Sequence, residues 1–152
     1  MATFALQPTL PLATDGAALT RVLQRAGVAK DSNVRVTGPD GPTTVLWLCR
    51  HGYEDAAYVH AHWVATMGSA DVLLIPHACG AQELADLLKG GACLREGGAL
   101  IVQALPNGSG QGQDRIPDLL QPLGYQVEHR WSDKGRNVCI ARRGGVDFKK
   151  AA

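Results

Sequence analysis

Apolar positions along this chain follow two rhythms, and most of the predicted elements come from telling them apart. From Asp15 to Ala26, Leu19, Val22, Leu23 and Ala26 fall at the three- and four-residue spacing of a single helical face. Thr14 or Asp15 can cap the start, and Gly27 stands where a left-handed C-cap residue belongs. Asn33 to Thr37 alternates through Val34 and Val36 and reads as a short strand, running into Gly38-Pro39-Asp40-Gly41-Pro42, which breaks regular structure. Thr43 to His51 carries a continuous apolar run, Val45 to Cys49, that suits a buried strand or a helix. Helix is preferred, because Thr43 or Thr44 can cap it, Arg50 and His51 suit the negative end of the helix dipole, and Gly52 ends it.

Ala56 to His60 reads as a second strand, and Ala61 to Ala70 as a connection with room for one short helix around Trp63 and Met67. Asp71 to Pro76 is unbroken Val-Leu-Leu-Ile between turn residues, as expected of a parallel strand covered on both faces. Ala81 to Leu94 places Leu84, Leu87 and Leu88 on one helical face, helical at least to Lys89. Gly97-Gly98 introduces a buried strand from Ala99 to Ala104. Pro106 to Gln113 is a loop, and Asp114 to Leu123 a helix broken or kinked at Pro117 and Pro122. Tyr125 to Trp131 and Asn137 to Arg142 form a terminal hairpin. Strands alternating with helices and closing on a hairpin predict a doubly wound α/β sandwich of three layers, its sheet mostly parallel with one antiparallel C-terminal strand.

Size and composition narrow this further. A chain of 152 residues supports one domain, expected over residues 1–143, with a frayed tail over 144–152. A net charge of +1, with no Lys/Arg cluster before the tail, gives no field for a phosphate backbone, so nucleic acid is not an expected partner. No apolar run is long enough to span a bilayer, and the segment from Met1 to Ala13 lacks the Lys or Arg of a signal peptide. Cys49, Cys79, Cys93 and Cys139 form no C-x-x-C pair and sit in apolar runs, so they read as small buried hydrophobes in a reducing cytoplasm.

Several segments resemble the class I S-adenosylmethionine (SAM) methyltransferases, a Rossmann-like family. Asp71-Val-Leu-Leu-Ile-Pro-His77, the leucine-bearing helix after it, and Cys93-Leu-Arg-Glu-Gly-Gly-Ala-Leu-Ile-Val102 are similar to the family's fourth strand, the helix that follows, and its "L-R-P-G-G-x-L-x-I" entry to the fifth strand. Leu119 to Glu128 is similar to "L-x-x-x-G-F-x-V-E", and Asn137 to Arg143 to the closing strand. Val34 to Gly41 lies where the family has "V-L-D-x-G-x-G-x-G". Gly38 aligns, but Val36 stands at the acidic position, and Asp40 at the second glycine unless the loop shifts to Gly41. His60-Ala61-His62-Trp63 follows the second strand, where the family places the acid that holds the ribose hydroxyls. Ten residues between the second and fourth strands cannot hold the family's third strand with its helices, so that strand is expected to be missing and the second strand to lie at the sheet margin.

The resemblance implies SAM as cofactor, with its carboxylate near Gly38 to Gly41 and its adenine near Ile75 to His77. The candidate cofactor-binding residues are therefore Gly38, Asp40, Gly41, His60, Pro76 and His77. His60 or His77 can act as a general base or orient a substrate. His60, His62, His77 and Cys79 can also be drawn as a metal set, but H-x-H and H-x-C spacings are common by chance and no metal is expected. No residue is assigned a catalytic role. Three functions remain open, the first two favoured: a SAM-dependent methyltransferase acting on an unidentified small molecule; a non-catalytic scaffold, sensor or subunit of the same fold that self-associates as a homodimer through its edge strand; and a metal-dependent or metal-sensing module using the histidines.

Overall fold

A computed structural model describes residues 15–59, 70–78, 81–88, 94–104, 115–133 and 136–144. The elements are helices α1 (Gly16–Arg25), α2 (Gly41–Arg50), α3 (Ala81–Leu88) and α4 (Arg115–Leu120), and strands β1 (Asn33–Val36), β2 (Asp55–Tyr58), β3 (Ala70–Ala78), β4 (Leu94–Ala104), β5 (Tyr125–Asp133) and β6 (Arg136–Arg143). The strands form one sheet in the order β2-β1-β3-β4-β6-β5. β1 pairs in parallel with both β2 and β3, and β3 with β4. β6 runs antiparallel to both β4 and β5, so it is the single reversed strand of the sheet.

The two-residue period of the strands divides the core between the faces. Val34, Val36, Val72, Leu74, Ala99, Ile101, Val138 and Ile140 meet Leu19, Val22 and Leu23 of α1 and Leu48 of α2. On the other face, Leu73, Ile75, Leu100, Val102, Cys139 and Ala141 meet Leu84 and Leu88 of α3 and Leu120 of α4. This is the expected doubly wound, three-layer arrangement, and β3 is central because its neighbouring side chains bury alternately into both layers. Among the described residues β2 is the margin of the sheet, with no strand beyond it.

Polar clamps set the lower, N-terminal end of the parallel strands. The Asp71 carboxylate accepts the Asn33 N–H at 2.8 Å and pairs with Arg95 Nε at 2.8 Å, tying the starts of β1 and β4 to β3. Arg142 Nη2 donates to Ala26 O at 3.1 Å, placing a cation at the negative end of α1.

Several local expectations are corrected. α2 starts at Gly41 and not at Thr43, with Asp40 as its N-cap, because a proline in the first helical turn interrupts nothing: its missing N–H has no helical partner there. Thr44 makes no cap; it is buried within the helix and donates its hydroxyl back to Asp40 O at 2.8 Å. Pro117 likewise sits in the first turn of α4 without breaking it, and Pro122 belongs to a 3-10 turn, Gln121–Leu123. Leu94 is not helical but begins β4, which runs through Gly97-Gly98: two steps along β3, Ala70 to Val72, face five along β4, Leu94 to Ala99. The glycines form a bulge inside the strand instead of a turn before it. Cys49 is exposed and only Cys139 of the described cysteines is buried. Successive helical residues turn by about 100°, so an apolar neighbour such as Leu48 says nothing about the side that Cys49 faces. Lys89, Cys79, Cys93, the connection over 61–69, the loop over 106–113 and the residues after Gly144 lie outside the described residues.

Candidate functional site

The sheet order reverses at β1: the chain proceeds outward to β2, then returns to the other side of β1 as β3. In an open parallel sheet such a reversal leaves a crevice beyond the carboxyl ends of the two strands, since their following segments depart to opposite faces. β1 is interior and Val45 to Cys49 is helical, so the opening strand occupies the central place on which the candidate site depends.

At the end of β1 the chain turns tightly into α2. Gly38 has φ +93° and Asp40 φ 65°, ψ 10°, and the Gly41 N–H donates to Gly38 O at 3.1 Å. Proline at the second position and positive φ at the third are the features of a type II β-turn. Asp40 is the only non-glycine residue with positive φ among those described. Gly38 is pressed against the far side of the crevice: a Cβ there would lie 3.1 Å from Leu87 Cδ1 and 3.5 Å from His77 O. The turn thus brings Gly38 beside Ile75 and His77 near the end of β3, where the intervening Pro76 is buried and His77 half-buried. The two halves of the predicted constellation that the structure describes are brought together. His60 lies outside the described residues, as do His62 and Cys79.

Gly41 has a different reason for its lack of a side chain. A Cβ there would lie 2.4 Å from Tyr58 Cε1 and 2.5 Å from Cδ1, because the last residue of β2 lays its ring against the first turn of α2. That contact packs helix on sheet and leaves no need for a ligand at Gly41.

The sequence reading passed over Thr37. It is 2% exposed, and its Oγ1 has no hydrogen-bond partner among the described residues. A buried hydroxyl left unpaired costs about 1–3 kcal/mol, and this one immediately precedes Gly38. The only signal in the sequence was a polar residue ending an otherwise β-branched strand. Gln103, fully buried near the end of β4, gave the same signal within Leu100-Ile101-Val102-Gln103. Among the described residues, no group of three or more His, Cys, Asp or Glu side chains could hold a metal ion, and no helix is long and apolar enough to cross a membrane.

No family model matches the chain, and no curated protein matches it in sequence. Solved structures do match its shape. A magnesium protoporphyrin IX methyltransferase from Synechocystis PCC 6803, with S-adenosylhomocysteine (SAH) bound, superposes with TM-score 0.61 at 12% identity, over 87% of this chain and 83% of that one. A SAM-dependent methyltransferase from Aquifex aeolicus gives 0.63 at 9% identity, over 82% and 88%. A ribosomal protein L11 methylase from Lactobacillus delbrueckii gives 0.61 at 14%, over 86% and 79%. The fold is that of the class I methyltransferases. The topology explains the match: a methyltransferase-like sheet with the margin at β2 retains the β1/β3 crevice, and the reversed β6 closes the other side. With so few identical residues, the likeness concerns backbone arrangement, and the side chains of the crevice must be judged on their own chemistry.

Two features of the described residues bear on a SAM-type ligand: Gly38, whose missing side chain lets the turn lie against His77 and Leu87, and the Thr37 hydroxyl beside it, buried with no hydrogen-bond partner among the described residues.

Proposed function

We propose that the chain binds a SAM-type nucleoside in the β1/β3 crevice and transfers its methyl group to a small molecule. The observation that carries this reading is the positive-φ Gly38 turn, set beside the end of β3 at the point where strand order reverses in a methyltransferase fold. The SAH bound to the Synechocystis relative supports the same assignment of cofactor class. Bound there, SAM supplies a sulfonium-activated methyl group. The protein's own task is then mainly to hold an acceptor in line and to keep water out, and that needs no covalent residue. The position of His77, half-buried near the end of β3, supports a role in orienting an acceptor.

Calorimetry with SAM, SAH and 5′-methylthioadenosine tests the reading. Saturable binding of at least one is expected. Absence of heat from all three at millimolar ligand overturns it.

A second reading follows from the marginal position of β2. Asp55–Tyr58 leaves one edge without a partner strand among the described residues, and an unpaired edge is a template for a second chain. On that reading the protein is a non-catalytic subunit that self-associates, and a monomer in sedimentation that methylates an acceptor removes it.

A further inference from the structure

Resting on the proposed nucleoside site, we infer that the Thr37 hydroxyl is a hydrogen-bond contact for the nucleoside, held without a partner in the folded chain and satisfied when the nucleoside binds. Other threonines of this protein find a partner within their own element. Thr20 and Thr44 lie in helices, and each donates to the carbonyl four residues earlier, Gly16 O and Asp40 O, at 2.8 Å. Thr37 stands instead in extended backbone: its N–H donates to Leu74 O at 3.1 Å and carries the β1/β3 ladder one residue past Val36. Its side chain is buried, and Oγ1 meets no hydrogen-bond partner among the described residues. The buried positions of β1 are otherwise Val34 and Val36, and valine at 37 would fill a similar volume with nothing left unpaired. A hydroxyl kept there weakens the fold, so its use lies with a partner the chain does not itself supply.

Direction agrees with this assignment. Side chains alternate along an extended strand, so Thr37 falls opposite Val36, on the face that carries Ile75 and α3. The neighbours of the Gly38 turn lie on that face too: a Cβ on Gly38 would be 3.6 Å from Ile75 Cγ2 and 3.1 Å from Leu87 Cδ1. The hydroxyl and the bare turn therefore face one wall of the crevice. Because Oγ1 is sealed from solvent, a nucleoside reaches it by displacing a neighbour, and Leu87, half-buried on α3 against the turn, is placed to give way. A hydroxyl both donates and accepts, so it suits the ribose hydroxyls and base nitrogens common to SAM, SAH and 5′-methylthioadenosine.

The experiment pairs calorimetry of the intact chain, with SAH and 5′-methylthioadenosine as probes, with urea unfolding of the same proteins. Thr37→Val is expected to unfold at a higher urea concentration than wild type and to bind both probes about fivefold more weakly, since they share the nucleoside. Thr37→Ser keeps the hydroxyl and should bind within about twofold of wild type. Asn33 Oδ1, at the amino end of β1 and away from the crevice, also lacks a partner among the described residues, so Asn33→Ala is the control and should leave both affinities unchanged. Wild-type affinity in Thr37→Val, a lowered urea midpoint in that variant, or an equal loss of affinity in Thr37→Ser or Asn33→Ala overturns this inference while leaving the nucleoside site standing. Failure of both probes to bind the wild-type chain overturns the site itself.

Discussion

Gly41→Ala offers a direct check on the packing that holds α2 against the sheet. The backbone at Gly41 is not in the left-handed region, so alanine is conformationally allowed, and by helix propensity alone it should stabilise α2 by up to about 1 kcal/mol. The added methyl, however, would lie 2.4 Å from Tyr58 Cε1, more than an ångström inside ordinary carbon–carbon contact, so the ring or the helix must move. Overpacking of this kind costs about 1–3 kcal/mol, so a net loss of about 1–2 kcal/mol is expected. Equilibrium urea unfolding followed by far-UV circular dichroism would show it as a lowered midpoint with an unchanged slope. The companion measurement is made in a Tyr58→Ala background. There the obstacle is gone and Gly41→Ala should change sign and become neutral to stabilising, a coupling of about 1–3 kcal/mol. If Gly41→Ala stabilises the wild-type chain, or has the same effect in both backgrounds, Tyr58 does not pack on α2 as described.

Two further outcomes follow from the titrating groups. The Asn33 N–H, followed by Arg95, holds the Asp71 carboxyl below the ordinary carboxylate range. Its contribution to stability is therefore fully present above the unfolded-state pKa and is lost as pH falls through the lowered folded value. Asp71→Asn should weaken the protein at neutral pH, and the gap from wild type should close below about pH 4, as read by urea midpoints across an acid series; a gap that stays constant into strong acid would contradict the assignment. Burial pushes the Cys139 thiol up to about 11, whereas Cys49 is exposed. Peptide mapping after brief alkylation at pH 8 should find Cys49 modified and Cys139 modified only on unfolding, and early labelling of Cys139 would show that β6 is not sealed between its helices and β4.

Much of the fold was legible because the two hydrophobic periods are cleanly separated in this chain. The unbroken Val72 to Ile75 run identified the central strand, and the short spacing before it placed β2 at the margin. Where local signals misled, the reason lay in position within an element. Pro42 and Pro117 look like breakers but occupy first turns, and Gly97-Gly98 looks like a boundary but is a bulge. The site divides in the same way. The places of Gly38 and His77 after the ends of β1 and near the end of β3 were readable from the strand patterns, and the structure sets Gly38 against His77 O. The Tyr58 ring over Gly41 and the unpaired Thr37 hydroxyl depend on contacts between elements, which no window of sequence displays.

The two margins of the sheet differ in a way that limits how large any strand-mediated assembly can grow. β5 is long, but its register slips between Val127 and His129, and Gln126, Glu128, His129 and Arg130 are exposed along it, features that discourage a docking strand. β2 is short, and its pairing with β1 carries no such slip. A molecule with one receptive flank saturates when two copies meet across a two-fold axis, whereas receptive flanks on both sides would let copies add end to end without limit. Were β2 to receive a second copy, the slip in β5 would hold the assembly at pairs and oppose fibre growth.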